Sequence, residues 1–179
     1  MKLSRATFLA LLVVTAGCAS IDITHDFDVN ANFAAYKTFQ WVPANVPSTT
    51  TQATTRPSGL LDSRIRNAVD TQMTAKGFAM ADSTPDVYVN YYAGAKDVVQ
   101  VTDMGYGYGY GYRGYGGSAI DVSTYTEGTL VVDIFDSKTK QLVWRGVARG
   151  AVEPGSSPEQ QTARVNSVVA QMFQAYPPR

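Results

Sequence analysis

The single histidine of the chain, His25, has three carboxylates within three residues of it, Asp22, Asp26 and Asp28. Imidazole with carboxylates is a metal-ligand palette, and His with Asp and Ser is the palette of hydrolytic triads. The spacing supports neither chemistry. No second His and no Cys joins the group, and no Gly-x-Ser-x-Gly turn presents a nucleophile. His25 is expected on the polar, solvated face of an alternating strand, with no metal. A second acidic set, Asp121, Glu127, Asp133 and Asp136, falls on neighbouring strand-like segments. Two of these converging as acid and base would make a hydrolase of envelope glycans, which requires carboxyl groups facing each other in a deep cleft. Trp41, Tyr88 and Trp144 offer aromatic surface, and a small domain is expected to spend such rings on its core. Arg145, beside Trp144, is expected to stack or to pair with an acidic neighbour. No catalytic constellation emerges, so the leading expectation is a non-enzymatic protein without a cofactor.

The one thiol, Cys18, has a different chemistry available. Residues 1–17 carry two cations, Lys2 and Arg5, then an apolar run over 6–14, then Thr15, Ala16 and Gly17. That is the three-part pattern of an export signal, and its run is shorter than the roughly 20 apolar residues of a spanning helix. Thr15-Ala16-Gly17-Cys18 resembles the lipobox of bacterial lipoproteins, with Thr15 where an aliphatic residue is usual. The resemblance implies cleavage between Gly17 and Cys18, S-diacylglycerol on the Cys18 sulfur and an N-acyl chain on its amine. Residues 18–20 then form the lipidated N-terminus, and the partner of this end is a membrane. Ala19, where an Asp would act as a retention signal, implies the outer membrane with the domain facing the periplasm, for a Gram-negative source. A thiol consumed by its anchor is not a catalytic nucleophile, and one Cys allows no intramolecular disulfide.

Composition bounds the rest. Removing 17 of the 179 residues leaves 162, enough for one domain with a real core. Fifteen basic residues balance 15 acidic ones, and losing Lys2 and Arg5 leaves about −2. A nucleic-acid partner, which needs clustered cations, is excluded on that ground.

The elements that must position these side chains follow from periodicity. Residues 21–29 alternate, with Ile21, Ile23, Phe27 and Val29 assigned to one face. Residues 36–42 are aromatic and β-branched and stop at Pro43, and the two segments are expected to pair as a hairpin around 30–35. Pro, Thr and Ser dominate 43–59, which reads as a flexible loop. Over 60–78 the period becomes helical, with Leu61, Ile65, Ala68, Val69 and Met73 on one stripe and Gly77 at the C-terminal cap. Strands are expected at 86–93, with 98–102 extending the pairing, then at 120–125, 128–135 and 141–152. Between them lies the most unusual stretch, 104–117, where glycine alternates with Tyr106, Tyr108, Tyr110, Tyr112 and Tyr115. It reads as a flexible loop whose rings can contact an envelope protein or glycan, with rigid amphipathic anchors on a pliable chain. Ser157, Pro158 and Gln160 mark a capped helix start, and Val165, Val168, Val169, Met172, Phe173 and Tyr176 form its apolar stripe. Pro177 and Pro178 end it. The economical arrangement is α+β: a two-layer sandwich of one mostly antiparallel sheet with both helices on one face.

The order of these segments resembles the DUF4136 family of bacterial lipoproteins over almost all of residues 21–179. The residues that carry the likeness are Phe33 with Tyr36-Lys37-Thr38-Phe39-Gln40-Trp41, Pro85-Asp86-Val87-Tyr88-Val89-Asn90-Tyr91, Glu127-Gly128-Thr129-Leu130 through Asp133 and Asp136 to Leu142-Val143-Trp144-Arg145-Gly146, and Tyr176-Pro177-Pro178. The resemblance implies one such domain, lipidation and an envelope location. It implies no catalytic residues, because the family is defined by an unknown function.

Overall fold

A computed structural model describes residues 21–42, 57, 59–103 and 120–178. Six strands form one mixed sheet: β1 (Asp22–Phe27), β2 (Thr38–Trp41), β3 (Ala79–Met80), β4 (Val87–Asp103), β5 (Ile120–Asp136) and β6 (Leu142–Ala151). Their spatial order is β1-β6-β5-β4-β2-β3. The β1–β6, β6–β5 and β5–β4 pairs are antiparallel, whereas β2 runs parallel to both β4 and β3. Helices α1 (Leu60–Ala75) and α2 (Pro158–Met172) cover one face of the sheet. The α+β sandwich expected from the sequence is therefore present, with a parallel pairing at one side.

Each helix owes its limits to local chemistry. The Ser157 hydroxyl accepts from the Gln160 backbone N–H at 3.3 Å while the Gln160 side chain accepts from the Ser157 N–H at 2.8 Å, closing a capping box, and Pro158 stands at the first turn. At the end of α1, Gly77 takes φ +87°, a left-handed conformation that ends the helix and turns the chain into β3. The expected stripe of α1 is buried at Ile65, Ala68, Val69 and Met73, but Leu61 is 39% exposed. Arg64 ties the helices together by donating to Gln161 at 2.8 Å and Thr162 at 3.0 Å.

Two expectations about the first strands are corrected. Residues 21–42 do not form a hairpin: β1 pairs with β6 and β2 with β4, so three strands separate them. The chain turns at 28–31, where the Ala31 N–H donates to the Asp28 carbonyl at 3.1 Å, and then carries Phe33 and Tyr36, which pack edge-on to each other and, through Phe33, to Phe27 and Tyr176. Burying those rings along the end of the sheet favours a crossing over a hairpin. Val29, assigned to the apolar face, lies beyond the end of β1 and is 80% exposed.

The two long strands expected as separate pieces are continuous. β4 and β5 pair without interruption from Val87↔Asp136 to Asp103↔Ile120. The ladder to β6 reaches only Glu127↔Ala151, so the rest of this hairpin extends beyond the sheet as a two-stranded arm.

Candidate functional site

Side-chain size on the helix-covered face falls in steps along the sheet. The first row across it is Phe27, Trp144, Ile134, Val89 and Trp41. Next come His25, Gly146, Val132 and Tyr91, then Ile23, Ala148, Leu130 and Ala93, and finally Gly150, Gly128 and Ala95. The helices do not descend to follow this taper. At the bulky end Trp144, Phe173, Phe78, Tyr176 and Phe33 meet ring to ring, with centroids 5.2–6.0 Å apart. At the Ala/Gly end the layers part and leave a cleft of about 540 Å³.

Its floor is Ala93, Ala95, Gly128, Leu130, Ala148 and Gly150, and its roof is Leu61 and Ile65 from α1 with Val165 and Val168 from α2. Leu61 is exposed because it hangs over this space. Ile21 forms part of one wall, directly before β1, and its side chain lies 3.4 Å from where a Cβ on Gly150 would stand. The backbone groups of Gly128, Leu130, Ala148 and Gly150 are consumed in the β5–β6 ladder, whereas Ala93 and Ala95 point theirs away from β5, past the end of β2. Among the described lining residues the charged ones are Arg149, Glu153 and Arg164. Arg164 pairs with Glu153 at 3.2 Å and donates to the Ala151 carbonyl. The interior thus offers hydrocarbon and few free hydrogen-bonding groups, and its volume lies within the range of small-molecule sites, roughly 300–1,000 Å³.

The carboxylates singled out in the sequence are placed elsewhere, each with its own task. Asp133 is fully buried on the face of the sheet opposite the helices, where Arg145 grips it with two bonds of 2.6 and 2.7 Å. That contact holds the Arg145 guanidinium above its ordinary pKa. Asp136 caps the turn to β6 through the Lys138 and Thr139 N–H groups at 2.8 and 2.7 Å and accepts from the Tyr36 hydroxyl at 2.9 Å. The Thr139 N–H above all holds the Asp136 carboxyl below the usual range, while burial and Asp136 together push the Tyr36 phenol up to about 12. Glu127 lies 3.4 Å from Lys96. The side chain of Asp121 lies outside the described residues. Asp133, Asp136 and Glu127 do not converge on the cleft.

His25 also sits differently from the expectation. Its register partner is Gly146, so it shares the helix-side face with Ile23 and Phe27 and not the polar face with Asp22 and Asp26. It remains exposed because β1 is an edge strand. Among the described residues, no three His, Asp or Glu side chains are grouped as metal ligands. Trp144 is a core residue. The Trp41 indole donates to Asp70 at 2.8 Å, with the Arg66 guanidinium 4.6 Å above the ring, and Lys140 lies 4.5 Å over Tyr88. Residues 1–20, with Gly17 and Cys18, most of the 43–59 stretch, and Tyr106, Tyr108, Tyr110, Tyr112 and Tyr115 lie outside the described residues.

The cleft has a signal in the sequence that apolar periodicity does not register. Small residues fall in phase at 93 and 95, 128, and 148 and 150, all inward positions of neighbouring strands. Periodicity alone treats Ala as apolar and passes over its size.

A family model described as "Domain of unknown function (DUF4136)" matches residues 23–178. Among solved structures, a PDZ domain protein from Parabacteroides distasonis superposes with a TM-score of 0.56 at 14% identity, covering 88% of this chain and 35% of that one. This chain therefore spans about a third of that protein's length. A DUF4136 family protein from Bacteroides thetaiotaomicron matches at 15% identity with a TM-score of 0.48, over 88% of this chain and 96% of that one. A PelC dodecamer from Paraburkholderia phytofirmans matches at 10% identity with a TM-score of 0.44, over 86% of this chain and 95% of that one. No curated protein matches.

Proposed function

The chain belongs to the DUF4136 family, whose activity is unassigned, and from that premise we propose that it is a lipid-anchored, non-enzymatic binding module of the bacterial envelope. Cys18 carries the lipid, and Ala19 directs the protein to the outer membrane with its domain in the periplasm. The observation that carries the binding role is the cleft: a pre-formed, mostly apolar hollow without facing carboxylates among its described lining residues. A hydrolase would need an acid and a base across such a space.

The anchored end and the working end coincide. Ile21, three residues after Cys18, stands at the cleft, and the β4–β5 arm leaves the sheet from the same end. That arm leads into the Tyr-Gly stretch, which is assigned to contact with an envelope protein or glycan.

Metabolic labelling with an alkyne palmitate analogue, followed by membrane fractionation, tests the reading. Label on the wild-type chain, absent from Cys18→Ala together with loss of that variant from the outer-membrane fraction, is expected. A Cys18→Ala chain that still sediments with outer membranes contradicts it.

A further inference from the structure

We propose that the cleft holds an acyl chain of the protein's own Cys18 anchor. This rests on the lipidation proposed above and goes beyond it by assigning the lipid a seat in the fold.

Three observations point to that occupant. The first is position: Ile21 is part of the cleft wall, and three extended residues span at most roughly 10 Å, so a lipid on Cys18 is attached within that distance of the mouth. The second is chemistry. A peptide or glycan brought into the cleft would have polar groups to satisfy, and the centre of the floor has none to spare because Gly128, Leu130, Ala148 and Gly150 spend their backbone groups on one another in the β5–β6 ladder. A hydrocarbon chain asks for no hydrogen bonds. The third is shape. The floor has a methyl group or nothing at positions 93, 95, 128, 148 and 150, whereas the roof carries Leu61, Ile65, Val165 and Val168. The layers are held apart by the aromatic end, so the hollow persists as a slot for a narrow apolar body. Free membrane phospholipid has the same chemistry, but Ile21 places the tethered chain at the mouth with an effective concentration that free lipid must compete against.

The lone cysteine supplies the test. In the lipidated chain Cys18 is a thioether, so a thiol introduced at the cleft floor by Ala93→Cys is the one thiol of the protein. Maleimide labelling of that thiol is compared between the full lipidated chain in phosphatidylethanolamine vesicles and the full Cys18→Ala/Ala93→Cys chain, with and without the same vesicles. Labelling at least tenfold slower in the lipidated chain alone is expected. Thr24→Cys, exposed on the opposite face, should label equally in both backgrounds. Ala95→Cys repeats the measurement should Ala93→Cys fold poorly. Equal labelling of the introduced floor thiol with and without the anchor overturns the proposal, and so does equal protection of the Cys18→Ala chain by vesicles, which assigns the cleft to free lipid. Intact mass separates the two readings. A mass showing diacylglycerol on Cys18 with no protection removes the seat and leaves the anchor, and a mass without lipid removes both.

Discussion

The two ends of this sandwich share one sheet, one pair of helices and one apolar face, yet one end is filled and the other is hollow. At the filled end Trp144, Ile134 and Val89 rise from the sheet into Val169, Met172, Phe173 and Tyr176, all within 1% of complete burial. At the other end Gly150, Gly128 and Ala95 offer the helices almost nothing to rest on. Interiors pack at the density of organic crystals, so a hollow survives only where something rigid prevents collapse. Here the aromatic cluster sets the spacing between the layers, and the taper of the floor turns that spacing into a cleft. The packed end is thus the support for the open one.

The filled end depends most on Trp144. Trp144→Ala removes the ring that contacts both Phe173 and Tyr176 and should lower the unfolding free energy in urea by about 3–5 kcal/mol. A loss under about 1 kcal/mol would mean that the cluster does not support the layers. The boundary between the two ends lies at Gly146, where an added Cβ would stand 2.5 Å from Met172 Cγ and Trp144 Cη2. Gly146→Ala is expected to cost about 1–3 kcal/mol by overpacking. Gly150→Ala, beyond the boundary on the same strand, meets only Ile21 at 3.4 Å and should change the urea midpoint little. Equal effects at the two glycines would erase the distinction between the ends.

A smaller effect comes from two carboxylates that brace the filled end. Asp86 accepts from the Lys37 and Thr38 N–H groups at 2.8 and 2.9 Å, and the Lys37 bond above all holds its carboxyl below the usual range. Asp136 is lowered in the same way by Thr139. For a carboxylate whose pKa falls on folding, the stabilisation is present above the unfolded value of about 3.9 and is lost as pH falls through the folded value. Urea midpoints should therefore drop as pH is lowered below about 4, and Asp86→Asn should flatten that drop. An unchanged slope in Asp86→Asn assigns the acid sensitivity to other groups.

Most of the fold was legible because it is written locally. The helical period of 60–78, the Ser157/Gln160 box and the alternation of 128–135 each fix one element without reference to the rest. What failed was long-range. Nothing within 21–42 states that β1 will pair with β6, since the partners are chosen by a shared apolar face and by rings buried along the way, Phe33 and Tyr36 among them. The polarity of His25 suggests the solvated face, whereas counting by twos from Ile23 puts it on the helix-side face with Ile23 and Phe27. The site was less legible than the fold. Asp133, Asp136 and Glu127 attracted notice as chemistry and prove to be an ion-pair partner, a turn cap and a partner for Lys96. The cleft is made of absences of side chain, and an absence becomes a feature only when neighbouring strands bring several into one row.

On the proposed reading the Ala/Gly end is a held-open binding space and not a packing defect. Titration of the full Cys18→Ala chain with a dansyl-labelled undecanoic acid, beside the same chain carrying Ala93→Leu and Ala148→Leu, tests it most directly. The parent should take up the probe with a blue-shifted, saturable fluorescence rise. The filled variant should lose that signal while unfolding at equal or higher urea, because added methyl groups enter empty space and cavity filling commonly contributes about 0.5–2 kcal/mol. A filled variant that unfolds earlier and binds the probe as the parent does would contradict the account.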